Sequence, residues 1–120
     1  MKDCNVDMLK LTKEFKECQK IFTSIGDETR QLIIIALLES DCNGIRVGEI
    51  TKKTHLSRPA VSHHLQILKE NKIISMRREG TKNYYFIDPK GVEFKKLFNL
   101  LSHITNIIDD ISYCEYDEFN

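Results

Sequence analysis

Residues 57 to 72 read SRPAVSHHLQILKENK and follow the polar and basic run Thr51-Lys52-Lys53-Thr54-His55-Leu56. No other stretch narrows the choice of fold as much. Ser57 can accept a hydrogen bond from an unpaired first-turn N–H, and Pro59 is tolerated where such donors have no intrahelical partner. The pattern predicts a helix starting at or just after Ser57. Val61, Leu65 and Leu68 follow at spacings of four and three, so their side chains share one buried face. The other positions, Arg58, Ser62, His63, Gln66 and Lys69, carry donors and acceptors but no carboxylate, a face able to meet an anion or a base edge. An ordinary surface helix also has a polar outer face with a few cations, and this helix alone does not choose between the two readings.

The flanks supply the context. Upstream, Val47-Gly48-Glu49-Ile50-Thr51-Lys52 reads as a short helix with Val47 and Ile50 inward, and a tight turn separates it from the second helix at Leu56-Ser57. Downstream, Ile73 to Arg78 and Lys82 to Ile87 read as two strands joined by Glu79-Gly80-Thr81. Helix, turn, helix, hairpin is the order of a winged helix.

The chain of 120 residues fits one domain, and with 30% charged residues and no apolar run near the roughly 20 residues that cross a bilayer, it is expected in the cytosol. The first residues, MKDCNVDMLK, lack the apolar core of a signal peptide. Formal net charge is zero, but the charge is segregated. Residues 1 to 51 hold seven Lys/Arg and nine Asp/Glu, residues 52 to 82 hold eight and two, and residues 83 to 120 hold three and seven. The middle segment is therefore +6 between acidic flanks, the footprint expected where phosphates are met. A solvated charge cluster is the alternative.

Around this unit lie helices. Leu11, Phe15, Cys18, Phe22 and Ile25 predict an amphipathic first helix over about residues 7 to 25, ended by Gly26. Asp27 is a cap for the next helix, with Glu28 near its positive end. Residues 32 to 38, LIIIALL, are apolar all round and expected to be covered on most sides; the Ile-rich run can also be read as a strand. Ile45-Arg46-Val47 allows a short strand. Asp88-Pro89-Lys90-Gly91 closes the hairpin. A last helix is predicted over about residues 92 to 112, with Phe94, Leu97, Leu101, Ile104, Ile108 and Ile111 in its stripe and Phe98, Leu100 and Ile107 widening it; the acidic tail from Tyr113 is expected to fray. The fold class is mainly α with a small β-hairpin: a single winged helix-turn-helix domain over residues 1–120, with about five helices and a two- or three-stranded wing. Two apolar terminal helices predict a two-fold homodimer joined through them, unless they only cover each other. A dimer would read an inverted repeat on double-stranded DNA.

The stretches Ile25-Gly26-Asp27-Glu28-Thr29-Arg30, Leu56 to Leu68 and Arg77 to Tyr85 resemble the ArsR/SmtB family of dimeric winged-helix transcriptional repressors, over about residues 10 to 112. The resemblance implies a repressor that dimerises through its first and last helices and leaves its operator when an inducer binds, in the best-known members a thiophilic or transition metal. The family's Cys-x-Cys site falls here on Arg46 and Gly48, which cannot ligate metal. Its second site pairs Asp and His with His and Glu along the last helix, whereas this chain offers His103, Asp109, Asp110 and Glu93. Neither set is complete, so the cofactor and the inducer are left unknown.

Arg58, Ser62, His63 and Gln66 are the base-edge candidates, since Arg can pair bidentately with guanine and Gln with adenine. Lys52, Lys53, Ser57, His64, Arg77, Arg78 and Lys82 are the phosphate and wing candidates. His64 lies nearer the packed face, and of Tyr84 and Tyr85 one is expected inward. Cys4, Cys18 and Cys114 would form a thiolate or redox site if the terminal helices converge, although Cys18 lies on an apolar stripe and also reads as plain core. His55, His63, His64 and His103 have no nucleophile, phosphate loop or carboxylate dyad at a telling spacing, so no enzyme is expected. The competing class is a winged-helix protein-interaction module without sequence-specific DNA binding.

Overall fold

The structure, a computed structural model, describes the backbone of residues 4 to 119 and the side chains of residues 8 to 111. The order is α1 (Cys4–Glu17), α2 (Gln19–Gly26), α3 (Glu28–Glu39), α4 (Val47–Thr54), α5 (Arg58–Glu70), β1 (Ile74–Glu79), β2 (Lys82–Ile87) and α6 (Val92–Phe119). The hairpin is antiparallel, with Ile74 opposite Ile87 and Glu79 opposite Lys82. Helices α3, α4 and α5 pack on one another and on the hairpin, while α1 lies along α6 and α2 bridges α3 and α6. This is the winged helix-turn-helix arrangement.

Val61, Leu65 and Leu68 are fully buried beneath α5, against Ile33, Leu37, Ile50, Ile73 and Ile74. Each such side chain contributes about 1.5–3 kcal/mol through its lost water contact. The turn before α5 is closed by His55, whose left-handed φ of 59° lets its N–H donate to Thr51 O at 2.8 Å. A similar device ends α5: Lys72 takes φ 60°, and the Ile73 N–H reaches back to Leu68 O at 3.0 Å, while the two apolar side chains share the core. Gly44 is required where it stands. At φ +87°, an added Cβ would lie 2.7 Å from the Tyr85 carbonyl oxygen.

Four expectations need correction. The single helix over residues 7–25 is two helices, which makes six among the described residues. The Cys18 N–H is shared between Glu14 O at 3.1 Å and Phe15 O at 3.0 Å, a tightened turn, and the Phe15 and Phe22 rings pack across it at 4.9 Å. The break lets α1 follow α6 while α2 turns onto α3. The run 32–38 is helical, but not covered on most sides: Leu32, Ile35 and Leu38 remain exposed, Leu38 by 67%. The strand at 45–47 is a single bridge between Ile45 and Tyr85, because Arg46 already caps α4. The last helix does not end at 112 but runs to Phe119, since no Gly or Pro interrupts it after Gly91.

Candidate nucleic-acid interface

Helix α5 begins where its sequence says. Ser57 Oγ accepts the Ala60 N–H at 3.2 Å, with Pro59 inside the first turn. Burial of Val61, Leu65 and Leu68 turns Arg58, Ser62, His63 and Gln66 outward, and all four are exposed. They share one face but are not equally free. The Gln66 carboxamide donates to Glu70 Oε1 at 2.9 Å, which orients it along the helix. The Arg58 guanidinium folds back beside α4, where a Cβ placed on Gly48 would sit 3.5 Å from its Nη2.

The cations of the second group spread over three places. Lys52 and Lys53 occupy the last turn of α4, exposed and favourably placed at its negative end. Arg77 and Arg78 project from β1 and Lys82 from β2. Arg77 Nε pairs with Glu79 Oε1 at 2.8 Å, and its guanidinium lies 4.9 Å from the centre of the Tyr84 ring that faces it across the strands. Arg78 Nε donates to Gly80 O at 3.0 Å, stiffening the wing tip. Tyr85, the other face of that strand, packs against the core. Ser57 spends its hydroxyl on the cap.

His64 is half-buried. Its Nδ1 stands 3.4 Å from Arg30 Nη1, and its ring meets His63 edge-on at 5.4 Å. Since a guanidinium only donates, this contact wants the neutral imidazole with Nδ1 as acceptor. Burial, reinforced by the Arg30 and His63 charges, holds the His64 pKa below its ordinary value, while Asp27 pulls the other way.

Arg30 is the residue that sequence reasoning passed over. Only 9% exposed, it donates from Nε to Ser24 O at 2.7 Å and from Nη2 to Thr23 O at 3.0 Å, two carbonyls of the α2 C-terminal turn. Asn71, the C-cap of α5, donates to Ser24 Oγ at 2.7 Å. The end of α2 is thus tied to both the middle and the end of α5. A signal was present: Arg30, Ile33 and Leu37 are spaced by three and four, placing a cation on the buried stripe of α3.

Of the three sensing candidates, Cys18 is a buried core residue. Burial pushes its thiol pKa up, the Glu93, Glu17 and Glu14 carboxylates push it further, and Lys96 opposes them. A raised thiol is a poor nucleophile and a poor soft-metal ligand. The side chains of Cys4 and Cys114 lie outside the described residues. At the place of the resembled Cys-x-Cys site, Arg46, Lys52 and Arg58 line one cleft, a setting that repels a metal cation. His103, on α6, is paired through Nδ1 to Glu14 on α1 at 2.8 Å. Among the described residues no group of three or more His, Cys, Asp or Glu is arranged to hold a metal ion, and no helix is long and apolar enough to cross a membrane.

Helix α5, the tight turn before it and the stiffened wing define a winged helix-turn-helix fold. A family model described as bacterial regulatory protein, arsR family, matches residues 27–75. The chain is 36% identical over 90 residues to a helix-turn-helix transcriptional regulator of Methanocaldococcus jannaschii, covering 74% of this chain and 99% of that one. It is 37% identical over 68 residues to the transcriptional repressor SdpR of Bacillus subtilis, covering 57% and 72%. Among solved structures, an ArsR-like transcriptional regulator from Rhodococcus superposes with a TM-score of 0.74 at 22% identity, covering 88% of this chain and 93% of that one. The homodimeric winged helix-turn-helix DNA-binding domain from Mycobacterium bovis superposes at 0.55 with 24% identity, covering 88% of each. The chain belongs to the arsR family of transcriptional regulators, which are not enzymes.

Proposed function

We propose that this protein is a dimeric repressor that grips an inverted-repeat operator with two copies of α5 and lets go when an effector binds. One observation carries the reading: the same molecule exposes a cationic face on α4, α5 and the wing, and an apolar face on its terminal helices. Met8, Leu9, Phe15, Phe98, Leu101, Ile108 and Ile111 are all exposed along α1 and α6, Leu9 by 72% and Phe98 by 70%. So much apolar surface on two adjacent helices favours burial against a second copy. The radius of gyration, 19.0 Å, exceeds the about 14 Å expected of a compact chain this long, as it should when the terminal helices extend toward a partner.

In this reading Arg58, Ser62, His63 and Gln66 meet base edges, and Lys52, Lys53, Arg77, Arg78 and Lys82 meet phosphates. Ser57 and His64 hold the helix in place instead. Repression follows the Bacillus relative. Selection of duplexes from a random library tests the reading. The enriched sequences should be inverted repeats with half-sites centred about one helical turn apart. Recovery of no common sequence, with binding to random duplex alone, would leave the protein without an operator and refute the proposal.

A further inference from the structure

A cleft of about 500 Å³ opens where α4, the head of α5 and the wing meet; its polar lining includes Arg46, Lys52, Arg58, Glu49, Thr81 and Asn83. Three cations against one carboxylate leave it electropositive. The N-terminus of α4 opens into the same space with Arg46 as its N-cap residue and no side-chain cap, so first-turn N–H groups add to the positive field. Gly48 on that first turn presents no side chain to fill the space. Across the cleft, Asn83 Oδ1 is buried with no hydrogen-bond partner among the described residues. An unpaired acceptor calls for a donor, so Asn83 can serve an anion only through its Nδ2 amide, and turning the carboxamide to present it forfeits no hydrogen bond of the oxygen.

We propose that this cleft binds a phosphate group, with Arg46, Lys52 and Arg58 as its charge partners and Thr81 and Asn83 as donors from the wing. Guanidinium groups suit a phosphate because their paired N–H donors match its oxygens. Two sources supply that chemistry: a phosphodiester of a duplex straddled by α5 and the wing, or free phosphate. Only the first rests on the DNA-binding reading. Arg58 belongs both to the cleft and to the base-edge candidates, so the site is tested at Arg46 and Asn83, which that reading does not use.

Inorganic phosphate is the probe. In an amide NMR titration of the whole chain, with chloride replaced by phosphate at constant ionic strength, Gly48, Thr81 and Asn83 should shift along a saturating curve. Arg46→Ala, at an exposed position, and Asn83→Asp, which adds a negative charge, should each weaken that curve at least fivefold with the remaining spectrum intact. A response that follows ionic strength alone, or variants that titrate like the parent, would overturn the site. A second arm measures duplex affinity under the same replacement. Loss of affinity in phosphate, reduced in Arg46→Ala, assigns the site to the DNA backbone; saturation in the first arm with unchanged duplex affinity assigns it to free phosphate. Should the protein bind no duplex, the first arm still decides whether the cleft takes phosphate.

Discussion

Arg30 Nη1 on α3 lies 3.4 Å from His64 Nδ1 on α5, while the same guanidinium donates to the Ser24 and Thr23 carbonyls at the end of α2. One side chain therefore satisfies a helix C-terminus and touches the middle of α5. Since α2 also packs on α6, the contact links the terminal helices to α5. Replacing Arg30 with Ala would leave two carbonyls unpaired and a void beneath α5. The expected loss is about 2–4 kcal/mol of stability, seen as a lower denaturant midpoint with unchanged slope. A loss below about 0.5 kcal/mol, the size of an ordinary surface change, would show that water replaces the guanidinium freely.

The same contact predicts a pH dependence. The folded His64 pKa lies below its ordinary 6.5, chiefly through burial and against the opposing pull of Asp27. As pH falls through 6.5 the unfolded chain takes up a proton that the folded chain still refuses. The contribution to stability is therefore complete above that pH and is lost as pH falls toward the folded value. Denaturant midpoints at pH 7.5, 6.5 and 5.5 should fall less steeply in His64→Gln than in the parent. Parallel curves would mean that His64 titrates alike in both states.

Dimerisation through the terminal helices is testable at Phe98, which is 70% exposed on α6. Phe98→Asp should leave each subunit folded, within about 0.5 kcal/mol, because little packs on the ring within one chain. In light scattering the variant should have the mass of one chain. Its affinity for an inverted repeat should drop about 100-fold or more as the two half-sites uncouple. A variant that stays dimeric would place the interface elsewhere.

Lys82 opens β2 on the exposed side of the wing. Lys82→Ala should weaken binding to operator and random duplex by the same factor, and reduce the log–log salt slope by about 1 for each phosphate contact removed. Loss on the operator alone would assign Lys82 to a base instead.

Much of this fold is legible in the sequence because it rests on local chemistry. Ser57 and Pro59 announce the start of α5, Val61, Leu65 and Leu68 its buried face, and Gly80 the turn between the strands. The misreadings arose where tertiary packing decides. Leu32, Ile35 and Leu38 look like core by hydropathy, but among the described residues they stay exposed. The apolar stripe from Leu11 to Ile25 runs through Cys18 without a Gly or Pro to mark the break, which arises because α1 follows α6 while α2 turns onto α3 as well. At the interface, residue type identified the exposed cations and amides, but not their local partners. Glu79 beside Arg77, Glu70 beside Gln66 and Gly48 beneath Arg58 come together only once the backbone is folded.

The most direct test of the central claim is the affinity for a selected duplex as a function of salt, measured by fluorescence anisotropy at constant pH. If Lys52, Lys53, Arg77, Arg78 and Lys82 of two subunits face phosphates, with even half of them engaged, log affinity should fall against log salt with a slope of about −4.5 or steeper. A slope near zero would contradict the account, because a duplex held without displacing counterions is not held by this cationic face.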